Sequence, residues 1–442
     1  MTGTHLSWLT IVRLGLVQSA LGAMVSLTTS TLNRVMVVEY ALPAMLPAAL
    51  VAWHYAIQLS RPRWGYGSDM GARRTPWIVG GMGVLALGAI GATDAAVIMA
   101  TSPLAGVLLG VASFTLIGAG VGASGTSLLA LLATHVAPER RPAAAATTWI
   151  MMIVGIVATA GIAGGLIDPF SPQRLAFVAA GVCAVAFLVT LLAVWGVEKG
   201  GRVRDPEEVK PPFLQALRET WADPTAQRFT QFVFLSMLAY SAQDLILEPF
   251  AGLLFGMTPG QSTQMSGVQH AGVLIGMILV GALGARVGDR KRAWLRGWTI
   301  AGCIGSALAL GALALAAAMP HAWPLTPTVF VLGFANGVFA VAAIGSMMGL
   351  AGEGQKAREG VRMGVWGAAQ AAAFACGGFA GAAGVDALRA LTGDTASAFM
   401  IVFGVEAALF LCAATMASRI RIGADAPAPR AHAGVHLQGA QT

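Results

Sequence analysis

Charge is what this chain has least of. Asp, Glu, Lys and Arg make up 11% of 442 residues, against 56% apolar residues and a mean hydropathy of +0.72. No soluble core needs that much apolar sequence, so the balance excludes a soluble globular protein and describes a polytopic membrane protein. Cysteine is scarce as well. Cys183, Cys303, Cys376 and Cys412 lie singly inside apolar runs, which implies no disulfide framework. Alternation of the kind a barrel strand needs is rare, and with 56 Gly the apolar runs read as closely packed helices. Enzyme signatures are missing too. The Asp residues include no D-x-x-x-D pair for magnesium, no G-x-x-x-x-G-K-[ST] phosphate loop occurs, and the His residues form no metal-binding cluster. Neither a catalytic site nor a firmly held cofactor is expected.

At about 20 apolar residues per span, the chain divides into twelve segments: 12–36, 42–60, 77–100, 104–134, 143–167, 174–196, 228–254, 265–285, 294–318, 324–350, 361–385 and 395–418. The first lacks a basic leading region and a cleavage site, so it is expected to stay in the mature protein. All but Arg13, Arg34, Arg174 and Arg389 of the 27 Lys and Arg fall in alternate loops or the tail, which places both termini in the cytoplasm. The net charge of +7 is then a topology signal and calls for no nucleic-acid partner. The expected architecture is an all-α bundle. Residues 1–196 form one six-helix half, 197–227 a cytoplasmic linker with a surface helix around Phe213, Leu214, Leu217 and Trp221, 228–420 the second half, and 421–442 a disordered tail.

A cytoplasmic turn follows the second span: Gly65-Tyr66-Gly67-Ser68-Asp69-Met70-Gly71-Ala72-Arg73-Arg74. Gly288-Asp289-Arg290-Lys291-Arg292 repeats it in degenerate form after the eighth. One carboxylate among several cations can clasp neighbouring helix ends in one conformation and release them in another. With the six-plus-six layout, this resembles the major facilitator superfamily, although Met70 stands where a basic residue is usual. The resemblance makes Gly65, Asp69, Arg73, Arg74, Asp289 and Arg290 a cytoplasmic gate.

Two polar islands interrupt membrane-grade sequence at matching places in the two halves: Asn33-Arg34 with Glu39, and Gln243-Asp244 with Glu248. An ionisable side chain at the bilayer centre costs roughly 2.5–3.5 kcal/mol, which makes each island a candidate functional site. The strings around them, Leu27-Thr28-Thr29-Ser30-Thr31-Leu32-Asn33-Arg34-Val35-Met36-Val37-Val38-Glu39 and Tyr240-Ser241-Ala242-Gln243-Asp244-Leu245-Ile246-Leu247-Glu248-Pro249-Phe250-Ala251-Gly252, are similar to the PucC/LhaA family. That is the bacteriochlorophyll-delivery branch of the major facilitator superfamily. The resemblance implies a fold of two six-helix halves related by a pseudo-two-fold axis, and a location in the inner, intracytoplasmic membrane of a phototrophic bacterium. It also implies a role in handling bacteriochlorophyll or a late precursor while light-harvesting antenna subunits are assembled, with pigment-synthesis enzymes as further partners. The gate alone would equally allow a proton-coupled exporter of an amphipathic solute.

Superposing the halves sets Asn33 on Gln243 and Arg34 on Asp244, so the expectation is an Arg34–Asp244 latch, with Glu39, Glu248 and the two amides around the same mouth. Depth shifts that mouth outward. Asn33 lies about 30 Å beyond Arg13 at the helical rise, and Asp244 about 24 Å beyond Arg228. The alternative for both islands is anchoring of helix ends by snorkelling. His54 and His270 are the histidines inside spans and are candidate axial ligands for the magnesium of a bacteriochlorophyll, or else hydrogen-bonded packing residues. Gly118, Gly120, Gly122, Gly161, Gly164, Gly165, Gly377, Gly378, Gly381 and Gly384 have the spacing of close helix contacts. Asn336 and Gln370 read as interhelical hydrogen-bonding residues, and Glu406 as a proton-site candidate.

Overall fold

The computed structural model describes residues 6–61, 64, 73–136, 141–198, 224–284, 291–320, 322–352 and 359–419, and every regular element among them is helical. Twelve helices follow in order: α1 (Trp8–Glu39), α2 (Met45–Gln58), α3 (Thr75–Met99), α4 (Pro103–His135), α5 (Arg141–Ile167), α6 (Pro172–Val194), α7 (Pro224–Phe255), α8 (Pro259–Gly284), α9 (Lys291–Ala318), α10 (Leu325–Gly352), α11 (Glu359–Thr392) and α12 (Thr395–Arg419). Ten are long and apolar enough to cross a membrane. The other two are α2, helical for only 14 residues, and α7, which carries the second polar island. Of the expected 197–227 linker, residues 199–223 with Phe213, Leu214, Leu217 and Trp221 lie outside the described residues, while 224–227 already belong to α7; the expected tail 421–442 and Gly65, Asp69, Asp289 and Arg290 of the expected gate also lie outside them.

Local chemistry sets the helix ends. Ser7 caps α1, its hydroxyl accepting from the Thr10 N–H at 3.2 Å, and Ser171 does the same for α6 with Pro172 in the first turn. Gly393 closes α11 in the left-handed region (φ +69°), its N–H reaching back to the Arg389 carbonyl. Arg13 donates to the Ala193 and Trp195 carbonyls at 2.8 and 2.7 Å, which completes the end of α6 and explains one basic residue that departs from the loop pattern.

One departure from a regular helix matters for the site. α1 is α-helical from Trp8 to Ser26, then π-helical over Leu27–Thr31 and again over Val35–Glu39, on either side of Leu32–Arg34. The hydroxyls of Thr28 and Thr29 donate to carbonyls of the preceding turn, so the polar run Thr28-Thr29-Ser30-Thr31 loosens the ladder from within.

Close approach of helices follows glycine, though not always the expected glycines. A Cβ at Gly120 would meet the Leu85 backbone, one at Gly118 the His54 carbonyl, and one at Gly377 the Leu238 carbonyl and Ser241 hydroxyl. A Cβ at Gly161 would meet open space. The tightest seam is α8 against α10: Gly272 and Gly276 sit on the backbone of Phe330 and Phe334, while Gly333 and Gly337 sit on Gln269 and Val273. The reciprocal small residues let the two backbones touch. Phe250, Phe399 and Phe403 fill the core between α7 and α12, with centroids 5.0–6.1 Å apart.

Candidate functional site

The polar groups converge at one end of the bundle, where α1, α5, α7 and α11 finish and α2 and α8 begin. This end is called distal below. Asn33 and Arg34 are each 2% exposed. The Arg34 guanidinium forms an ion pair with Glu39 through Nη1 and donates through Nη2 to the Met257 carbonyl at 2.6 Å. Glu39 lies one loosened turn further along α1, and the Val35–Glu39 π segment brings its carboxylate back onto the cation.

Asn33 Nδ2 donates to the Leu245 carbonyl at 2.7 Å. That carbonyl is available because of the sequence of α7. Four residues beyond it stands Pro249, inside the helix and without an N–H, so the usual i to i+4 bond cannot form. The Asn33 amide takes the place of the missing donor and ties α1 to α7. Met257 is presented to Arg34 by Gly256, whose φ of +65° turns the chain from α7 towards α8.

This arrangement corrects the expected pairing. Arg34 pairs with Glu39 through Nη1 and donates to Met257 through Nη2, and Asp244 is not among its partners. Depth gives the reason: Asp244 stands eleven residues before the end of α7, about 16 Å, whereas Arg34 stands five before the end of α1, about 8 Å. Asp244 instead lies within electrostatic range of the phenols of Tyr55 and Tyr240 and the carboxyl of Glu406. The rings of Tyr55 and Tyr240 both pack on Phe374 of α11, at 5.4 and 5.9 Å. Gln243 is fully buried, and neither of its amide atoms has a hydrogen-bond partner among the described residues. Glu248 belongs to the distal cluster: its Oε2 accepts from Thr263 at 3.5 Å, and the Thr263 hydroxyl meets that of Thr31 at 3.1 Å.

Two carboxylates outside the islands complete the distal end. Asp168, just past α5, accepts from the Thr258 hydroxyl and from the Gly260 N–H at 3.1 Å. Thr258 and Gln261 already form a reciprocal capping box at the start of α8, so Asp168 adds a second cap from another helix. On α11, Asp386 accepts from the Met45 N–H at 2.7 Å and caps α2, whose own cap position is Ala44. Asp386 does for α2 what Asp168 does for α8. An open recess of about 560 Å³ lies over the Arg34–Glu39 pair, bounded by Asp168, Phe170, Gly252 and Met257.

At the opposite end the described part of the expected gate is Arg73 and Arg74. Arg73 is exposed, and Arg74 is buried. Glu198, just past α6, accepts from the backbone N–H groups of Arg74 (2.8 Å) and Thr75 (2.8 Å) and from the Thr75 hydroxyl (2.7 Å). Burial works against ionisation of Glu198, but these donors and the charge of His135 outweigh it and hold the carboxyl below its ordinary range.

The two histidines differ. His54 is 1% exposed with Nδ1 on the Val51 carbonyl and Nε2 on Gln58 Nε2, both at 2.8 Å. Gln58 in turn accepts from Arg61, which fixes its amide nitrogen towards His54. Both ring nitrogens are engaged, so His54 has no lone pair for an axial ligand role. His270 Nδ1 lies 2.8 Å from the Ser266 carbonyl, and no second partner occupies its Nε2 among the described residues.

Sequence reading missed Asp168, Asp386, Glu198, Thr263 and Pro249. Of these, Pro249 alone carried a local signal, a proline inside a span.

Comparison with known proteins gives a consistent picture. A family model described as PUCC protein matches residues 31–424. The chain is 54% identical over 417 residues to the Bacteriochlorophyll synthase 44.5 kDa chain of Rhodobacter capsulatus, covering 94% of this chain and 96% of that one. It is 28% identical to Protein PucC of Rhodobacter capsulatus, covering 92% and 91%. In fold it is similar to a bacterial homologue of the human lysosomal transporter Spinster, in an inward-facing, unoccupied conformation. The TM-score there is 0.69 at 15% identity, over 94% of this chain and 98% of the other.

Proposed function

The chain belongs to the PucC family, and from that premise we propose that it handles bacteriochlorophyll or a late precursor and assists assembly of light-harvesting complexes in a phototrophic bacterium. The observation that carries this reading is the near full-length likeness to a bacteriochlorophyll-linked chain combined with a transporter-type helical fold. The chain acts as a carrier or assembly factor and is not itself the catalyst; the synthase name belongs to the relative, which leaves association with pigment-synthesis enzymes as a partner role. All twelve helices span the inner membrane, including α2 and α7, as two six-helix halves related by a pseudo-two-fold axis. The clasps at Asp168 and Asp386, one from each half, support that symmetry. Lys and Arg concentrate at the end opposite the islands, so the distal end faces outward and both termini lie in the cytoplasm. Asn33, Arg34, Glu39 and Glu248 then act as the outward latch, with Gln243 and Asp244 lining the space beneath it. Gly65, Asp69, Arg73, Arg74, Asp289 and Arg290 make up the cytoplasmic gate in this reading.

The test is purification from a phototrophic host lacking the native gene and complemented with this chain. Co-purifying pigment in the absorption spectrum and restored antenna absorption are expected. A colourless protein from a host in which antenna assembly is not restored would refute the reading. A second reading, proton-coupled export of an amphipathic molecule, has one observation in its favour: Glu406 is 2% exposed and neither carboxyl oxygen has a partner among the described residues. Collapse of the proton gradient would stop such export while leaving assembly intact.

A further inference from the structure

Glu248 is a second buried ionisable group at the distal end, and among the described residues no cation pairs with it. It is 2% exposed and its Oε1 has no hydrogen-bond partner among them. The Arg34 guanidinium lies within its electrostatic range, but that charge is already matched by Glu39. As ionised groups the three carry one uncompensated negative charge, and a charge buried in a membrane calls for something to neutralise it. What surrounds Glu248 is a set of hydroxyls. Thr263 stands 3.5 Å from Oε2, Thr31 stands 3.1 Å from Thr263, and the hydroxyls of Ser30 and Ser266 act on the same carboxyl. Thr31, Thr263 and Ser266 are buried.

The Thr263 contact is too long for a hydroxyl closed on a carboxylate, which comes to about 2.5–2.7 Å. Together the two spacings are close to those of oxygens around a hard cation. An ion that takes oxygen ligands at about 2.3–2.6 Å, as calcium does and sodium of similar size also does, sets neighbouring corners of an octahedron about 3.3–3.7 Å apart. Each of these five side chains offers oxygen, which suits a hard ion. The backbone helps to gather them. Ser30 and Thr31 are consecutive, and the Leu27–Thr31 π turn brings successive side chains nearer to one face than an α turn does. Those two come from the first six helices, whereas Glu248, Thr263 and Ser266 come from the last six.

We propose that a sodium ion binds between α1, α7 and α8, held by Glu248 and the hydroxyls of Ser30, Thr31, Thr263 and Ser266, and fastens the two halves together at the distal end. The single uncompensated charge selects a monovalent ion over calcium. Because the ligands come from both halves, the ion binds the closed arrangement and loses part of its shell when α1 parts from α7 and α8. Sodium therefore shifts the population towards the closed form. This goes beyond pigment handling and does not depend on it.

The test uses the full-length protein in nanodiscs, in sodium chloride, potassium chloride or choline chloride at equal ionic strength. The unfolding temperature of wild type is expected to rise saturably with sodium, as mass action requires for a ligand of the folded state. A cysteine placed at Val38, on the wall of the distal recess, should react several-fold more slowly with a membrane-impermeant thiol reagent in sodium than in choline. Potassium should give neither effect. Glu248→Gln, which keeps the side-chain shape and removes the charge, should abolish both. Thr263→Val should raise the sodium concentration needed by about tenfold, the loss of one contact to a charge, and it carries the test if Glu248→Gln does not fold. Equal behaviour of wild type in sodium and choline, an equal response to potassium, or a sodium response unchanged in the variants would overturn the assignment.

Discussion

Arg34 and Glu39 are one ion pair seen from two very different environments. Arg34 is 2% exposed and Glu39 28%, so the two single substitutions are not equivalent. Glu39→Gln removes the ion-pair partner of a buried guanidinium, leaving the Met257 carbonyl as its hydrogen-bond acceptor and Glu248 within electrostatic range, and a cost of about 3 kcal/mol is expected. Arg34→Met leaves the Glu39 carboxylate, which water reaches, and removes a cation from the range of Glu248, whose Oε2 keeps its Thr263 contact, and about 1 kcal/mol is expected. Unfolding in detergent measures both; equal losses would contradict the asymmetry. Asp244→Asn should add to either within about 0.5 kcal/mol, since the sites do not touch. At this scale the sequence made Asn33 and Arg34 conspicuous through their cost in a membrane, but not their partners. Pairing by superposed halves assumes two regular helices, and α1 is not regular.

Glu198 offers a pH test at the same scale. Its carboxyl is held below the ordinary range, so the stabilisation it gives the start of α3 is present at neutral pH and is lost as pH falls through its folded value. Amide exchange at Arg74 and Thr75 should therefore be slower in wild type than in Glu198→Gln at neutral pH, and the difference should vanish in acid. A difference that persists in acid would show that the carboxylate charge is not the cap.

Among elements, α1 and α7 depend on each other through what each lacks. α7 has a carbonyl without an intrahelical donor at Leu245, and α1 supplies the donor from Asn33. Pro249→Ala returns an N–H to α7 and competes with Asn33. Asn33→Ala should cost about 1 kcal/mol in wild type and clearly less in the Pro249→Ala background. Additive losses in thermal unfolding would mean the proline and the amide are unrelated. The all-helical, multi-span architecture was legible because apolar run length is a local property; among the described residues ten of the expected runs are long and apolar enough to cross a membrane. The π segments were not, because they arise from a Thr-rich run acting on its own backbone. Nor was the α8–α10 glycine seam, because a glycine shows where a helix can be approached and not by which neighbour.

Across the molecule, two carboxylates from different helices cap the starts of α8 and α2 at one end. Asp168→Asn with Asp386→Asn should loosen that end specifically. A cysteine introduced at Val38, on the wall of the recess at that end, should react faster with a membrane-impermeant thiol reagent in the double variant, by several-fold, with little change at the Arg74 end. Equal rates would mean the clasps do not hold the end closed. These contacts join residues about 90 and 340 positions apart, which no periodicity can reveal.

Besides apolar packing such as Tyr40 on Phe170, the distal end is crossed by hydrogen bonds: Asn33 to Leu245, Arg34 to Met257, Thr31 to Thr263, and the two aspartate caps. At about 1 kcal/mol net for each, their sum is only a few kcal/mol. These polar contacts by themselves favour the closed arrangement by a few powers of ten, and an opened one is a minor member of the ensemble. A cargo needs to prefer that minority form by no more than the same few kcal/mol to make it the majority.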